Sequence, residues 1–256
     1  MTAPYASVLV VVPTLGERLD YLAQTFDSLA AQDHPGLSVV VVGPATASDA
    51  RALAGRFGFA YADEQGRSLS DAINQGWATA EADVLAWIGD DDLLEPGAVS
   101  RATAALGADR SASMVYGRCR YIDGDGAEIF VARPGRFGAW FARYGKDFIP
   151  QPGSFQRATS VRAVGGVDPT LRFAMDLDLF LKLRTAGRLV YLPHVQASFR
   201  LHDASLTMSN PDPGVESEAV RRRYMGRAAL TSRPVVAPVL EGVARVWSAL
   251  QWRHVL

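Results

Sequence analysis

The chain has 256 residues, 48% hydrophobic and 21% charged, the balance of a soluble domain with a full core. Its 26 basic and 27 acidic residues leave a net charge of −1, so no whole-protein field draws it to nucleic acid. The single cysteine, Cys119, excludes an intramolecular disulfide and argues against a cysteine-based zinc site.

The opening "MTAPYASVLVVV" lacks the basic region of a signal peptide, and no run approaches the ~18 apolar residues of a membrane span. A cytoplasmic protein is expected, with any membrane contact peripheral. In chain order, Val8 to Val12 is a β-branched run closed by Pro13, which predicts a buried strand. Leu19, Leu22, Phe26 and Leu29 recur at three and four residues and predict a helix, stopped by "HPG" at 34–36. A second buried strand is expected over 38–42, a helix over 48–57 and a short strand over 59–61. "SLSDAINQGWATA" (68–80) reads as a helix of small residues with Gly76 inside it, and 84–88 as the next strand. Pro96 suits the first turn of a helix running to about Leu106. Strand and helix alternate four times, which favours a mostly parallel sheet with helices on both faces.

Beyond residue 110 the rhythm changes. "SMVYGRCRYIDGDGAEIFVAR" predicts two strands joined at "DGDG", and a Gly/Pro-rich stretch follows over 133–153. A helix is expected over 175–185, ended by Gly187, then a strand at "RLVYLP". A polar loop over 203–217 and two helices around "SRPVVAP" complete the chain. The expected organisation is a nucleotide-binding half (1–110) and an acceptor-side half (111–210) of one domain (1–210), with a C-terminal helical extension (211–256).

"DVLAWIGDDDLLEPG" (83–97) sets Asp90, Asp91 and Asp92 just past a predicted buried strand. Ligands of open α/β sheets sit beyond the carboxyl ends of strands. Adjacent carboxylates repel, and a divalent cation offsets that repulsion. Mg²⁺ typically takes one or two carboxylates and its other oxygens from phosphates. Helix capping or a solvated turn is the plain alternative. No G-x-G-x-x-G follows the first strand and no P-loop is present, so a nucleotide is held some other way.

With those residues in view, the chain resembles the family 2 glycosyltransferases of the GT-A fold. "VVVPTLGERLDYLAQTFDSLAAQ", "EQGRSLSDAINQGWATAEADVLAWIGDDDLLEPGAV", "AMDLDLFLKL" and "FRLHDASLT" match the family's motifs in order, over about residues 8–207. The resemblance implies a GT-A-like nucleotide-diphospho-sugar transferase fold, a mixed and mostly parallel sheet flanked by helices. It implies a nucleotide-sugar donor, usually UDP-linked, Mn²⁺ or Mg²⁺, and transfer with inversion to a glycan, lipid-linked or small-molecule acceptor, as in envelope polysaccharide, glycolipid or glycoconjugate synthesis. Residue by residue, it places Pro13, Thr14, Glu17, Gly43, Arg67, Asp71, Asp90 and Asp91 at the nucleotide sugar. It gives the metal to Asp92, with Asp90 and His202, and the role of catalytic base to Asp176. Gln151 and Arg200 are carried to the acceptor or diphosphate. Two departures touch base and ribose recognition: Gly43 stands where the family has an Asp, and Gly66 and Ser68 flank Arg67 in "QGRS".

The residues also bear on chemistry directly. A leaving diphosphate gathers charge that Arg67, Arg200 or His202 can offset. The acceptor hydroxyl must lose a proton, and a positioned carboxylate is worth roughly 10²–10⁴-fold. Asp176 and Asp178 lie about 200° apart on a helix, so only one of them faces the substrate. Trp87 reads as core, His34 and His194 as loop residues, and "AVRRRYMGR" (219–227) as a solvated helix face. Val239, Val243, Val246, Trp247 and Leu250 share one helical face, which either docks onto the sheet or rests on an anionic membrane. A nucleotidyltransferase, or a nucleotide-sugar binder without catalysis, are the alternative functions.

Overall fold

The computed structural model describes residues 6–202 and 214–227, together with 229–231, 238–240, 242–243 and 246. The nucleotide half runs β1 (Val8–Pro13), α1 (Leu19–Ala30), β2 (Leu37–Gly43), α2 (Ser48–Arg56), β3 (Ala60–Asp63), α3 (Leu69–Trp77) and β4 (Val84–Trp87). Then come β5 (Leu93–Leu94), α4 (Ala98–Ala108), β6 (Ala112–Ile122), β7 (Glu128–Ala132) and α5 (Gly138–Tyr144). The remainder is β8 (Phe155–Arg157), α6 (Ala158–Val164), α7 (Met175–Ala186), β9 (Arg188–Arg200) and α8 (Val215–Arg223).

One sheet runs through both halves in the order β3-β2-β1-β4-β8-β6-β9-β5, with β7 on β6. All six residues of β1 are buried, as a strand covered on both faces requires. Its alternate side chains divide the core. Leu9 and Val11 join α3, α5, α6 and α7 on one face, while Val8, Val10 and Val12 join α1, α2 and α4 on the other. Gly76 has its reason here: a Cβ would lie 2.6 Å from Val11, so glycine lets α3 seat directly on β1. β1 is parallel to β2 and β4, and β6 to β9. β8 is antiparallel to both β4 and β6, so the two reversals cancel and β6 and β9 point the same way as β1 and β4. The carboxyl ends of β1, β4, β6 and β9 therefore share one edge.

The mixed, mostly parallel α/β reading is borne out, with local corrections. Pro96 lies outside α4. The carbonyl of Glu95 accepts from the N–H of Ala98, and Gly97 takes φ 71°, a type II turn that starts the helix one residue after Gly97's left-handed step. The two-residue β5 carries too little sequence to announce itself, α5 emerges from the Gly/Pro-rich stretch, and β8 and α6 lie in residues for which no element was expected. β9 continues past Pro193. Between Tyr116↔Tyr191 and Arg118↔Val195 it holds extra residues, and this bulge absorbs the proline, which cannot donate to a ladder. Part of the expected polar loop is helical, since α8 begins at Val215; residues 203–213 and most of the two expected C-terminal helices lie outside the described residues. Val220 and Arg221 of α8 are buried, and Arg221 Nε donates to the carbonyl of Ala142, so this arginine run is not simply a solvated face.

Candidate active site

The shared edge gathers Thr14 after β1, Asp90–Asp92 after β4, Asp123 after β6, and Arg200 and His202 at the end of β9. Each aspartate of the trio has a different partner. Asp90 accepts from the Thr14 hydroxyl (2.6 Å) and from Arg18 Nη2 (2.6 Å). Asp91 Oδ2 lies 2.8 Å from His202 Nε2 and 3.4 Å from Arg18 Nη2. Asp92 Oδ1 accepts from the backbone N–H of Arg200 (3.0 Å). Asp90 and Asp92 are buried and only Asp91 is partly open. Burial, with the Asp91 charge adding to it, pushes the Asp92 carboxyl well above the usual carboxylate range.

The loop is held from beneath by Arg200, which is 1% exposed. Its guanidinium donates to the carbonyls of Asp91, Asp123 and Gly124 and to Gln24 Oε1, and lies 4.4 Å from the Tyr21 ring centre. The same ring packs against His202 at 5.4 Å. α1 adds the Thr25 hydroxyl, which donates to the carbonyl of Asp92, and the Ser28 hydroxyl, which accepts from Leu94 N–H. α1 thus ties β5 to the loop.

On the acceptor half, Asp176 opens α7. Burial raises its pKa to about 6, against a lowering N–H from Leu177, with the Glu216 charge raising it further. Asp147, in the loop after α5, is raised to about 7 by burial and then by the charge of Asp176, so the two form an interacting carboxylate pair. Glu216 of α8 accepts from the N–H groups of Arg172, Phe173 and Ala174, and so holds the turn that leads into Asp176. Asp178 is fully buried, accepts from the Tyr224 hydroxyl (2.8 Å) and pairs with Lys182 (2.7 Å).

Residues 9–161, more than half of the chain, match the family described as Glycosyl transferase family 2. The chain belongs to that family. An uncharacterized glycosyltransferase of Rickettsia typhi is 20% identical to this family 2 chain over 231 residues, 84% of this chain and 71% of that one. Residues 1–349 of TarS from S. aureus, solved with UDP-GlcNAc, give a TM-score of 0.65 at 15% identity, over 80% of this chain. The match spans only 61% of that TarS chain. Mannosyltransferase PcManGT from Pyrobaculum calidifontis, solved with GDP-Man and Mn²⁺, gives 0.59 at 17% identity over 96% of this chain and 84% of its own. At such identities the likeness shows the fold, which is of the GT-A type.

Within this glycosyltransferase the expected site residues separate into groups. Thr14, Asp90, Asp91, Asp92 and His202 are brought together. Pro13 and Gly43 end β1 and β2, and Glu17 is exposed in the loop between β1 and α1. Four have partners of their own. Asp92 is buried, and the more open carboxylate, facing His202, is Asp91. Arg200 directs its guanidinium to main-chain carbonyls and Gln24. Asp71 serves α3: its Oδ2 accepts from Arg67 N–H and the Ser68 hydroxyl, while Ser68 Oγ accepts from Asp71 N–H, a reciprocal cap. Gly66 makes room for it, since a Cβ there would lie 2.1 Å from that of Asp71. Gln151 Nε2 donates to the carbonyl of Trp87, which ties the acceptor loop to β4. Arg67 is exposed, with no ion pair among the described residues. At Gly43 a Cβ would lie 2.6 Å from the Tyr61 hydroxyl and 2.7 Å from the Thr14 carbonyl, so Tyr61 fills the space a longer residue would need.

Two residues escaped sequence reasoning. Arg18 precedes the expected helix that opens at Leu19, and its reach to Asp90 and Asp91 is a tertiary fact. Asp147 sat in a stretch read as irregular.

A metal fits this donor set as a two-ligand site. A carboxylate oxygen and an imidazole nitrogen face each other at 2.8 Å, and no cluster of three His, Cys, Asp or Glu forms a metal cage among the described residues. Such a pair suits a Mn²⁺ or Mg²⁺ that takes its other oxygens from a diphosphate and water.

Proposed function

We propose that the chain transfers a sugar from a nucleoside-diphosphate sugar to an acceptor hydroxyl, with inversion, assisted by Mn²⁺ or Mg²⁺. The observation that supports this most is a division of labour between two groups: Asp91, His202 and Arg18 at the sheet edge on the donor side, and Asp176, with a pKa of about 6, at the start of α7 on the acceptor side. Asp91 and His202 would hold the metal, which would supply charge stabilisation for the departing diphosphate. Arg18, one-third exposed beside Asp90 and Asp91, offers a fixed positive charge to the same oxygens. Pro13, Thr14, Glu17 and Gly43 border the nucleotide, with Arg67 ahead of α3. Asp176 takes the acceptor proton, and direct displacement inverts the anomeric carbon. A UDP-linked sugar is the first donor to test. The acceptor is a hydroxyl of a glycan, a lipid-linked sugar or a small molecule, handled in the cytoplasm during envelope polysaccharide, glycolipid or glycoconjugate synthesis.

The test is transfer and hydrolysis across a panel of UDP- and GDP-linked sugars with Mn²⁺, comparing wild type with Asp91→Ala and Asp176→Asn. Asp91→Ala is expected to lose metal-dependent donor binding, and Asp176→Asn to bind donor without transferring it. Donor binding by wild type without any turnover would make the protein a binder rather than an enzyme. Equal turnover in all three would refute the assignments.

A further inference from the structure

α5 is built inside out for a water-facing helix. It buries its small residues Gly138, Ala139 and Ala142, and leaves Phe137 66% exposed and Trp140 42% exposed. Large aromatics left in solvent beside buried alanines mark a surface that meets something apolar. The charge around them narrows what that is. Residues 129–146 contain Arg133, Arg136, Arg143 and Lys146 and no Asp or Glu, in a chain whose net charge is −1. The patch continues onto a neighbouring segment. Leu240 Cβ lies 3.7 Å from where a Cβ of Gly145 would stand, and Val239, Val243 and Val246 of that segment are 63%, 46% and 63% exposed. The valines share a helical face, and that face is open rather than docked on the sheet. A cavity of about 490 Å³ lies on the Arg143 side, lined by Arg143, Arg184, Arg188, Leu181, Leu189 and Tyr224.

We propose that this surface docks on an anionic lipid bilayer, and that the acceptor hydroxyl belongs to a lipid-linked molecule presented there. Exposed aromatics enter the headgroup boundary while arginines meet anionic headgroups. The cavity adds the guanidinium of Arg184 near Leu181 and Leu189, beside Arg143, which also donates to the carbonyl of Tyr224, and Arg188, which pairs with Asp109; a cation set of this kind meets a phosphate on a lipid. The patch ends at Lys146, and the next residue is Asp147, the carboxylate that interacts with Asp176. Docking therefore brings the bilayer surface to the acceptor carboxylates. The acceptor assignment rests on the transferase reading above, and the docking does not.

The experiment is flotation of the full chain with vesicles of phosphatidylcholine alone or mixed with phosphatidylglycerol, without donor. Wild type is expected to float with the mixed vesicles only and to be released by high salt. Phe137→Ser with Trp140→Ser should weaken partitioning about tenfold or more. Arg136→Gln, at an exposed side chain that threatens no packing, should weaken it about fivefold. Circular dichroism melts confirm that each variant is folded, and hydrolysis of a nucleotide sugar in vesicle-free buffer should be unchanged in all of them. Wild type that does not float, or folded variants that float as well as wild type, would overturn the docking. So would light scattering that shows a wild-type dimer converted to monomer by Trp140→Ser, because the patch would then belong to a second copy. Wild type that floats but hydrolyses no nucleotide sugar upholds the docking and removes the acceptor assignment alone.

Discussion

In the loop after β4, Asp90 and Asp91 are tied down by Thr14, Arg18 and His202, whereas Asp147 and Asp176 on the acceptor half accept from little more than nearby backbone N–H groups. The first arrangement fixes charge: the ionised groups have cations or donors already aimed at them. The second leaves protons mobile, because burial without a cationic partner raises a carboxyl's pKa toward neutrality. A site that must hold a diphosphate and also deprotonate a hydroxyl needs both kinds of carboxylate. Here they sit in different parts of the chain, one group in the loop after β4 and the other after α5 and at the start of α7.

That contrast can be broken at several points. The largest effect is expected at the mobile end. Asp176→Asn should lower kcat by roughly 10²–10⁴-fold with little change in donor KM, since the proton acceptor is lost and the donor contacts remain. At the fixed end, Asp91→Ala should cost roughly 10²–10³-fold in kcat/KM and flatten the Mn²⁺ dependence of donor binding in calorimetric titration. Arg200→Leu tests scaffold against ligand. It takes the guanidinium donor from the carbonyls of Asp91 and Gly124, while that of Asp123 keeps the Gly126 N–H, so a loss of about 2–4 kcal/mol in denaturant unfolding is expected, with the activity of the folded fraction reduced less than in Asp91→Ala.

The pH dependence sharpens the same contrast. The rate kcat/KM should rise about tenfold per pH unit up to about pH 6 and level off above it, as Asp176 gives up its proton. Stability should move the other way. A carboxyl whose folded pKa lies above its unfolded value favours the folded state below the unfolded pKa and loses that advantage as pH rises through 6. Asp176→Asn should therefore be the more stable protein at pH 7, by on the order of 1 kcal/mol because the side chain is only half-buried, and equal to wild type near pH 4. The smallest effect is expected at Asp71→Ala. A loss of about 1 kcal/mol or less, with donor KM unchanged, would confirm that its carboxylate serves α3 and not the nucleotide.

Local pattern made much of the nucleotide half legible. The buried β-branched runs of β1 and β2, the spacing of Leu22, Phe26 and Leu29, and Gly76 within α3 each have one reading that tertiary structure leaves alone. The acidic trio was legible as a site because it follows a buried strand. Its internal roles were not, because they depend on residues that approach from elsewhere. Asp91 is singled out by His202, and Asp92 is enclosed by the Arg200 main chain 108 residues away. Arg200 itself is the clearest case. In sequence it is a cation beside a histidine, and only its burial shows that it serves the backbone. The acceptor half was less readable where its elements are short: β8 has three residues and α5 and α6 seven each, too few for any periodicity to register.

The tie between Asp92 and the end of β9 has a consequence for the order in which the protein is made. Strands β1 to β4 can pair as soon as they leave the ribosome, but the loop after β4 then carries three carboxylates whose counterweights, Arg200 and His202, have not yet been translated. Until they arrive, the loop has Arg18 and the hydroxyls of Thr14 and Thr25 but not the β9 contacts. A chain stalled before residue 200 is accordingly expected to show the nucleotide half-sheet by hydrogen exchange and yet to retain no nucleoside diphosphate on a filter. The newborn protein would become able to grasp its donor only once residues 200 to 202 had been made.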